Sequence, residues 1–206
     1  MGEPNKYLVI KQLKKLKEYS KNIKLAAEGW GSDYKTLIST ILSARTRDEI
    51  TINVAKILFL KYPSIEKLSK EKPENIEKII KPVNFYKTKA KNIINCAKIL
   101  YRKYNSKVPH DFKTLISLPG VGRKTANVFL AEIGKDEIGV DTHVSQISRF
   151  LEWTKNTEPK KIELDLKNLF PKKYWKEINP ILVRFGKSYT KKREKYEILT
   201  KIKKMR

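Results

Sequence analysis

The chain has 206 residues, enough for one or two small domains with a real core, and carries 46 lysines and arginines against 22 aspartates and glutamates. A net charge of +24 opposes compaction by self-repulsion, so a polyanion, nucleic acid above all, is the partner this composition favours. One cysteine, Cys96, excludes an internal disulfide and a four-cysteine metal or cluster site, and no apolar run approaches the ~18 residues of a membrane span.

Growth temperature explains part of the lysine richness, but plentiful asparagine and the one-sided charge balance favour the polyanion. Met1-Gly2-Glu3-Pro4 has no apolar signal core. The expectation is a soluble intracellular protein.

In chain order the sequence predicts helix after helix, with no alternating strand. Lys6 to Tyr19 places Leu8, Leu13, Leu16 and Tyr19 among lysines, an amphipathic helix expected to pack as a satellite. Gly29-Trp30-Gly31 breaks the chain, and Ser32 or Asp33 caps the next helix. Its Tyr34, Leu37, Ile38, Ile41 and Leu42 recur with the helical period as a core face. Ser43-Ala44-Arg45-Thr46-Arg47-Asp48 interrupts it, and a helix through Val54, Ile57, Leu58 and Leu60 resumes until Pro63.

Ser64 to Leu68 and Pro73 to Ile80 read as short helices opened by residues suited to a helix start. Pro82 to Lys89 reads as a loop leading into a helix of Ile93 to Tyr104. There Cys96, among Ile93, Ile94, Ala97 and Leu100, has the place of a small apolar residue. Further helices are expected through Val144, Ile147, Phe150 and Leu151, over Glu158 to Phe170, and over Pro180 to Tyr189. Lys191 to Arg206 puts Tyr196, Leu199 and Ile202 on one side of a very basic segment, either a helix or a frayed tail.

The chemistry gathers at Leu118-Pro119-Gly120-Val121-Gly122-Arg123-Lys124-Thr125-Ala126. Pro119 and the two glycines suit a tight turn that a Cβ would resist. The helix before it has Asp111 as N-cap and Phe112, Leu115 and Ile116 as its apolar side. The helix after it carries Val121, Ala126, Val128, Phe129, Leu130 and Ile133 and ends at Gly134. Such a turn presents unpaired backbone N–H groups and the positive end of a helix dipole, which suits phosphate. Lys124 stands just inside the second helix beside Arg123, whose like charge disfavours the ammonium and frees an amine nucleophile. Alone, this is an ordinary helical turn with a surface lysine. Beyond it comes Gly139-Val140-Asp141-Thr142-His143, an acidic residue opening a new helix.

Leu118 to Ala126 followed by Val140-Asp141-Thr142-His143 resembles the helix-hairpin-helix (HhH-GPD) DNA glycosylase superfamily, most of all its endonuclease III branch. The resemblance runs from the first helix to Tyr189. It implies an all-α fold of two lobes with a cleft between them: a six-helix barrel of about residues 26–136, and a lobe formed by residues 1–25 and 137–206. It also implies double-stranded DNA with a damaged base or an abasic site as partner, a monomer, and a cytoplasmic, nucleoid-associated setting in a prokaryote. The activity it implies is base-excision repair by a bifunctional glycosylase and abasic-site lyase, with oxidised pyrimidines as substrate. Lys124 would be the nucleophile and Asp141 the carboxylate that takes its proton and stabilises the developing sugar cation.

Leu118, Gly120, Val121, Gly122, Arg123 and Thr125 would form the DNA-binding hairpin, Arg123 as a phosphate contact. His143 would stand with the DNA-binding residues, where it is expected to order Asp141 or to pack. Arg45 falls where many members put a glutamine into the space left by the flipped nucleotide, and Phe85 where relatives place an aliphatic wedge. A basic surface loop and a core phenylalanine are the plain alternatives for those two. The chain departs from the family pattern at its C-terminus. Relatives carry four cysteines there for an iron–sulfur cluster, whereas Tyr189-Thr190 runs into Lys191-Lys192-Arg193, so no cofactor is expected. The connection from Lys124 to Asp141 is also slightly shorter than usual. Two other functions stand beside it: a glycosylase for uracil, mismatched thymine or an oxidised purine, between which and the pyrimidine reading the scattered pocket residues do not choose, and a DNA-binding hairpin protein without catalysis, against which the presence of both Lys124 and Asp141 argues.

Overall fold

The computed structural model describes residues 6–205; the Met1 to Pro4 stretch read above lies outside them. Among the described residues there are twelve α-helices and no strand. In order they are α1 (Lys6–Tyr19), α2 (Asp33–Ser43), α3 (Asp48–Lys61), α4 (Ile65–Ser69), α5 (Pro73–Ile80), α6 (Tyr86–Tyr104), α7 (Phe112–Ile116), α8 (Arg123–Glu132), α9 (Thr142–Phe150), α10 (Pro159–Leu169), α11 (Trp175–Ser188) and α12 (Lys192–Lys203). No helix among them is long and apolar enough to cross a membrane. The chain divides into two compact units. One is Lys24–Ile133; the segments through Ile23 and from Gly134 onward make the other.

Within Lys24–Ile133, α2 is the axis and packs against α3, α6 and α8, while α6 lies along α4 and α5. The periodic face read from the sequence is its core, with Tyr34, Leu37, Ile38, Ile41 and Leu42 all buried. Cys96 is buried among them, and burial pushes its thiol up to about 12, so it serves as a small apolar filler. The apolar period misleads in α3, where Ile57 and Leu60 face solvent at 56% and 85% exposure while Ala55, Leu58 and Phe59 carry the packing. Ile116 likewise points outward from α7.

α6 begins at Tyr86, seven positions before the first apolar residue used to place it. Its first turns are lysine-rich, so periodicity is silent there. Yet Lys89 is buried and tethers the helix start, as detailed below.

In the other unit α11 packs on α1 and α9, and α12 packs on α1. The core joins Val9, Leu13 and Leu16 of α1 to Val144, Ile147, Ile162, Leu166, Leu182 and Phe185. α1 is therefore not a satellite. Its buried stripe runs through Val9, Gln12, Leu13 and Leu16, while Tyr19 is exposed. Burying side chains such as Leu13, Leu16 and Phe185 contributes about 1.5–3 kcal/mol each. α11 starts at Trp175, ahead of the expected Pro180, which lies inside the helix and leaves one rung of the ladder unmade for lack of an N–H.

The basic C-terminal segment is helical, and α12 buries Leu199 and Ile202. Phe150 and Tyr196 stack edge to face with centroids 5.0 Å apart. The Trp153 indole N–H donates to Gln12 Oε1 at 2.7 Å, and Gln12 Nε2 donates to the Ile202 carbonyl at 3.3 Å. That buried relay satisfies the polar atoms of Trp153 and Gln12 while joining the first helix to the last.

Candidate active site

The hairpin is built from α7, α8 and the turn between them. Asp111 caps α7 by accepting from the Thr114 N–H at 2.8 Å, which holds its carboxyl below the usual carboxylate range. The turn is closed by the Leu118 N–H to the Leu115 carbonyl and the Val121 N–H to the Leu118 carbonyl, each 3.1 Å. Gly120 has φ +81°, and a Cβ there would lie 3.0 Å from Asn92 Cβ and 3.3 Å from Ile41 Cγ2. Glycine is required on both counts.

Gly122 differs. It has φ −91°, it is the residue before α8, and a Cβ there would meet nothing within 4 Å. Nothing inside the chain demands a glycine at 122, contrary to the joint reading of the two.

The hairpin residues fall into two groups. Leu118, Val121 and Thr125 are buried, at 3%, 5% and 7% exposure, and the N–H groups of Leu118 and Val121 are spent on closing the turn. Gly122 is exposed, and Arg123 and Lys124 are half-buried in the first turn of α8. The Arg123 guanidinium carbon stands 4.9 Å from the Phe112 ring centroid, a cation–π contact that orients the side chain at the mouth of the turn.

In the other unit, Asp141 is the N-cap of α9: its Oδ1 accepts from the Val144 N–H at 2.9 Å. That bond fixes the carboxylate's direction, and Asp141 remains half-buried rather than enclosed. His143 packs directly over Gly186 of α11; a Cβ at 186 would sit 2.1 Å from His143 Nδ1. Asn179 Nδ2 donates to the Gly139 carbonyl at 2.6 Å and holds the lead into Asp141.

Arg45 and Phe85, expected in separate loops, meet. The Arg45 guanidinium carbon is 5.7 Å from the Phe85 ring centroid. Both are exposed, Phe85 at 59%, and both have left-handed backbones, φ 55° and 60°. A left-handed conformation costs a residue with a side chain about 1–2 kcal/mol. The reading of Phe85 as a core residue is thus ruled out.

Comparison with known proteins decides the kinship. Residues 38–172 match the HhH-GPD superfamily of base excision DNA repair proteins. The chain belongs to the endonuclease III family of that superfamily. It is 43% identical to endonuclease III of Thermotoga maritima over 159 residues, covering 77% of this chain and 75% of that one. Endonuclease III of Rickettsia conorii is 39% identical over 165 residues, covering 79% and 78%. The solved structure of a trapped endonuclease III–DNA covalent intermediate superposes with a TM-score of 0.83 at 30% identity, across 91% of this chain and 89% of that one.

This member of the endonuclease III family is accordingly a DNA-binding base-excision repair glycosylase. The residues present do not fit the four-cysteine cluster associated with the family. The one cysteine is enclosed in α6, and the C-terminal segment folds as α12 on apolar contacts. Among the described residues no group of three or more His, Cys, Asp or Glu side chains is arranged to hold a metal ion.

Sequence reasoning missed three residues that structure these segments: Asn84, Lys89 and Gly186. Gly186 left a trace, since a glycine within an apolar helical pattern is unfavourable unless something packs on it. Asn84 and Lys89 left none, because their partners lie some forty positions upstream.

Proposed function

We propose that the chain is a bifunctional DNA glycosylase and abasic-site lyase that removes damaged pyrimidines from duplex DNA. Asp141 takes a proton from the Lys124 ammonium, and the freed amine attacks C1′ of the extruded nucleotide. The C1′–N bond breaks and the base departs with its electron pair, receiving through water the proton that Asp141 had taken; the Asp141 carboxylate so restored stabilises the positive charge that builds on the sugar. Ring opening gives an imine between Lys124 and C1′. Its protonated form acidifies the C2′ hydrogen; loss of that proton to a base expels the 3′ phosphate by β-elimination, and water then releases Lys124.

The observation that carries this reading is the pair of placements at helix starts. Lys124 stands in the first turn of α8 directly after the glycine hairpin, and Asp141 is fixed as the cap of α9. Each has the position the family resemblance assigns to nucleophile and carboxylate. A solved relative that forms a covalent intermediate with DNA adds support. The mechanism requires amine and carboxylate to reach one deoxyribose.

Borohydride reduction with abasic duplex DNA tests it. The protein should become covalently trapped, and Lys124→Gln should lose the adduct while keeping salt-sensitive DNA binding. Full-rate nicking of abasic DNA by Lys124→Gln would overturn the lyase assignment. A panel of duplexes, each with one damaged base, tests the pyrimidine preference.

A further inference from the structure

Lys89 is buried at 7% exposure, although the chain has many lysines that reach water. Its Nζ donates to the Leu42 carbonyl at 2.7 Å, the Ala44 carbonyl at 2.6 Å and Thr46 Oγ1 at 3.3 Å. Three donors meet three acceptors at the C-terminal end of α2, where a cation also suits the helix dipole. Desolvation pushes the ammonium down to about 8, the cost of placing it there.

The segment so gripped is the one that carries Arg45. Asn84 Nδ2 donates to the Arg45 carbonyl, and the Asn84 N–H donates to Thr46 Oγ1 at 3.2 Å. Asn84 precedes Phe85, and the Lys89 N–H closes the first turn of α6 on the Phe85 carbonyl at 3.0 Å. Two left-handed residues, in a conformation rarely populated on its own, are thereby tied together through the exposed Asn84 bonds and the enclosed Lys89 ammonium.

We propose that Lys89 and Asn84 are positioning residues that hold Arg45 and Phe85 as one preassembled wedge, ready to fill the gap when a nucleotide leaves the duplex. The proposal rests on the reading of the chain as a base-flipping enzyme. Neither Lys89 nor Asn84 needs to touch DNA. They remove conformational freedom from the two that do, so the wedge enters the helix without first being ordered. Arg45 supplies a planar, cationic group for the orphaned partner base and the strand, and Phe85 an apolar face for stacking.

The test compares duplex with single-stranded substrate, because only duplex needs a wedge. Lys89→Met should lower base excision from duplex about tenfold, the scale of loss expected when a positioned group is loosened. Borohydride trapping on single-stranded abasic DNA should keep its wild-type rate. 2-Aminopurine placed opposite the lesion should show less fluorescence gain on binding. Asn84→Ala, an exposed substitution that spares the core, should show the same divergence if Lys89→Met fails to fold.

If both variants slow the two substrates equally, or slow neither, the positioning role is overturned. If Arg45→Ala/Phe85→Ala leaves duplex excision at the wild-type rate, there is no wedge to hold and the proposal falls. Absence of any adduct with the unmodified protein would instead remove the lyase reading beneath it.

Discussion

Gly186 is the floor on which His143 rests: a Cβ at 186 would lie 2.1 Å from the imidazole Nδ1 and 2.8 Å from Cγ. The glycine sits inside α11, where it weakens the helix, and the contact explains why nothing larger stands there. Gly186→Ala should displace the ring and cost about 1–3 kcal/mol through overpacking, read as a lower melting temperature. Gly186→Ala/His143→Ala should recover part of that loss, because the clash goes with the ring. A double variant no more stable than the single one would show that the clash is relieved elsewhere.

The two hairpin glycines should behave oppositely. Gly120→Ala forces a positive φ on alanine and presses on Asn92 and Ile41, so a loss of about 1–3 kcal/mol is expected by denaturant titration. Gly122→Ala, at φ −91° with open space about the new methyl, should stay within about 0.5 kcal/mol of the parent. Any defect of Gly122→Ala should therefore appear in DNA binding alone.

Asp141 has a structural task as well as its proposed chemical one, and two substitutions separate them. Asp141→Ala removes the cap bond to the Val144 N–H and should cost about 1 kcal/mol of stability. Asp141→Asn can still cap α9 and should fold nearly as well, yet lose base excision by about 100-fold or more, since an amide neither takes the lysine proton nor balances the sugar cation. Measured together, melting temperature and single-turnover excision distinguish the roles.

Acid should expose a third tie. The side-chain amide of Asn75, the Lys72 N–H and the Tyr62 hydroxyl all donate to Glu71 and hold its carboxyl down at about 2, against an ordinary 4.5. A carboxyl depressed in the folded state stabilises it above the unfolded value, and that contribution is lost as pH falls from 4.5 toward 2. Glu71→Gln should thus melt below the parent at neutral pH, and the gap should close through that interval. A gap constant with pH would assign the loss to packing.

Much of the fold was legible wherever a helix has one apolar face and a recognisable end. Tyr34 to Leu42, Asp111 before α7 and Gly134 after α8 are cases where period, cap and stop agree. Periodicity found α3 but failed to show that Ile57 and Leu60 lie outside its packing, because a continuous apolar run cannot say which of its sides meets a neighbour. It failed again at Tyr86 and Trp175, where helices start without an apolar signal or ahead of a proline.

In the candidate site, Lys124 and Asp141 were singled out by motif, since local turn chemistry writes itself into local sequence. Lys89 could not be found that way. Among so many lysines only tertiary structure distinguishes one whose ammonium is spent on carbonyls of a distant helix.

The relay from Trp153 through Gln12 to the Ile202 carbonyl sets an order of events during synthesis. The Lys24–Ile133 unit is contiguous and can collapse while translation continues. The other unit has α1 made before the Lys24–Ile133 unit and must wait for α11, and then for Leu199 and Ile202 of α12, to leave the ribosome before that helix is fully covered. Val9, Leu13 and Leu16 therefore stay bare for most of the nascent chain's life, and a ribosome stalled before α12 should release a product that chaperones or proteases recognise.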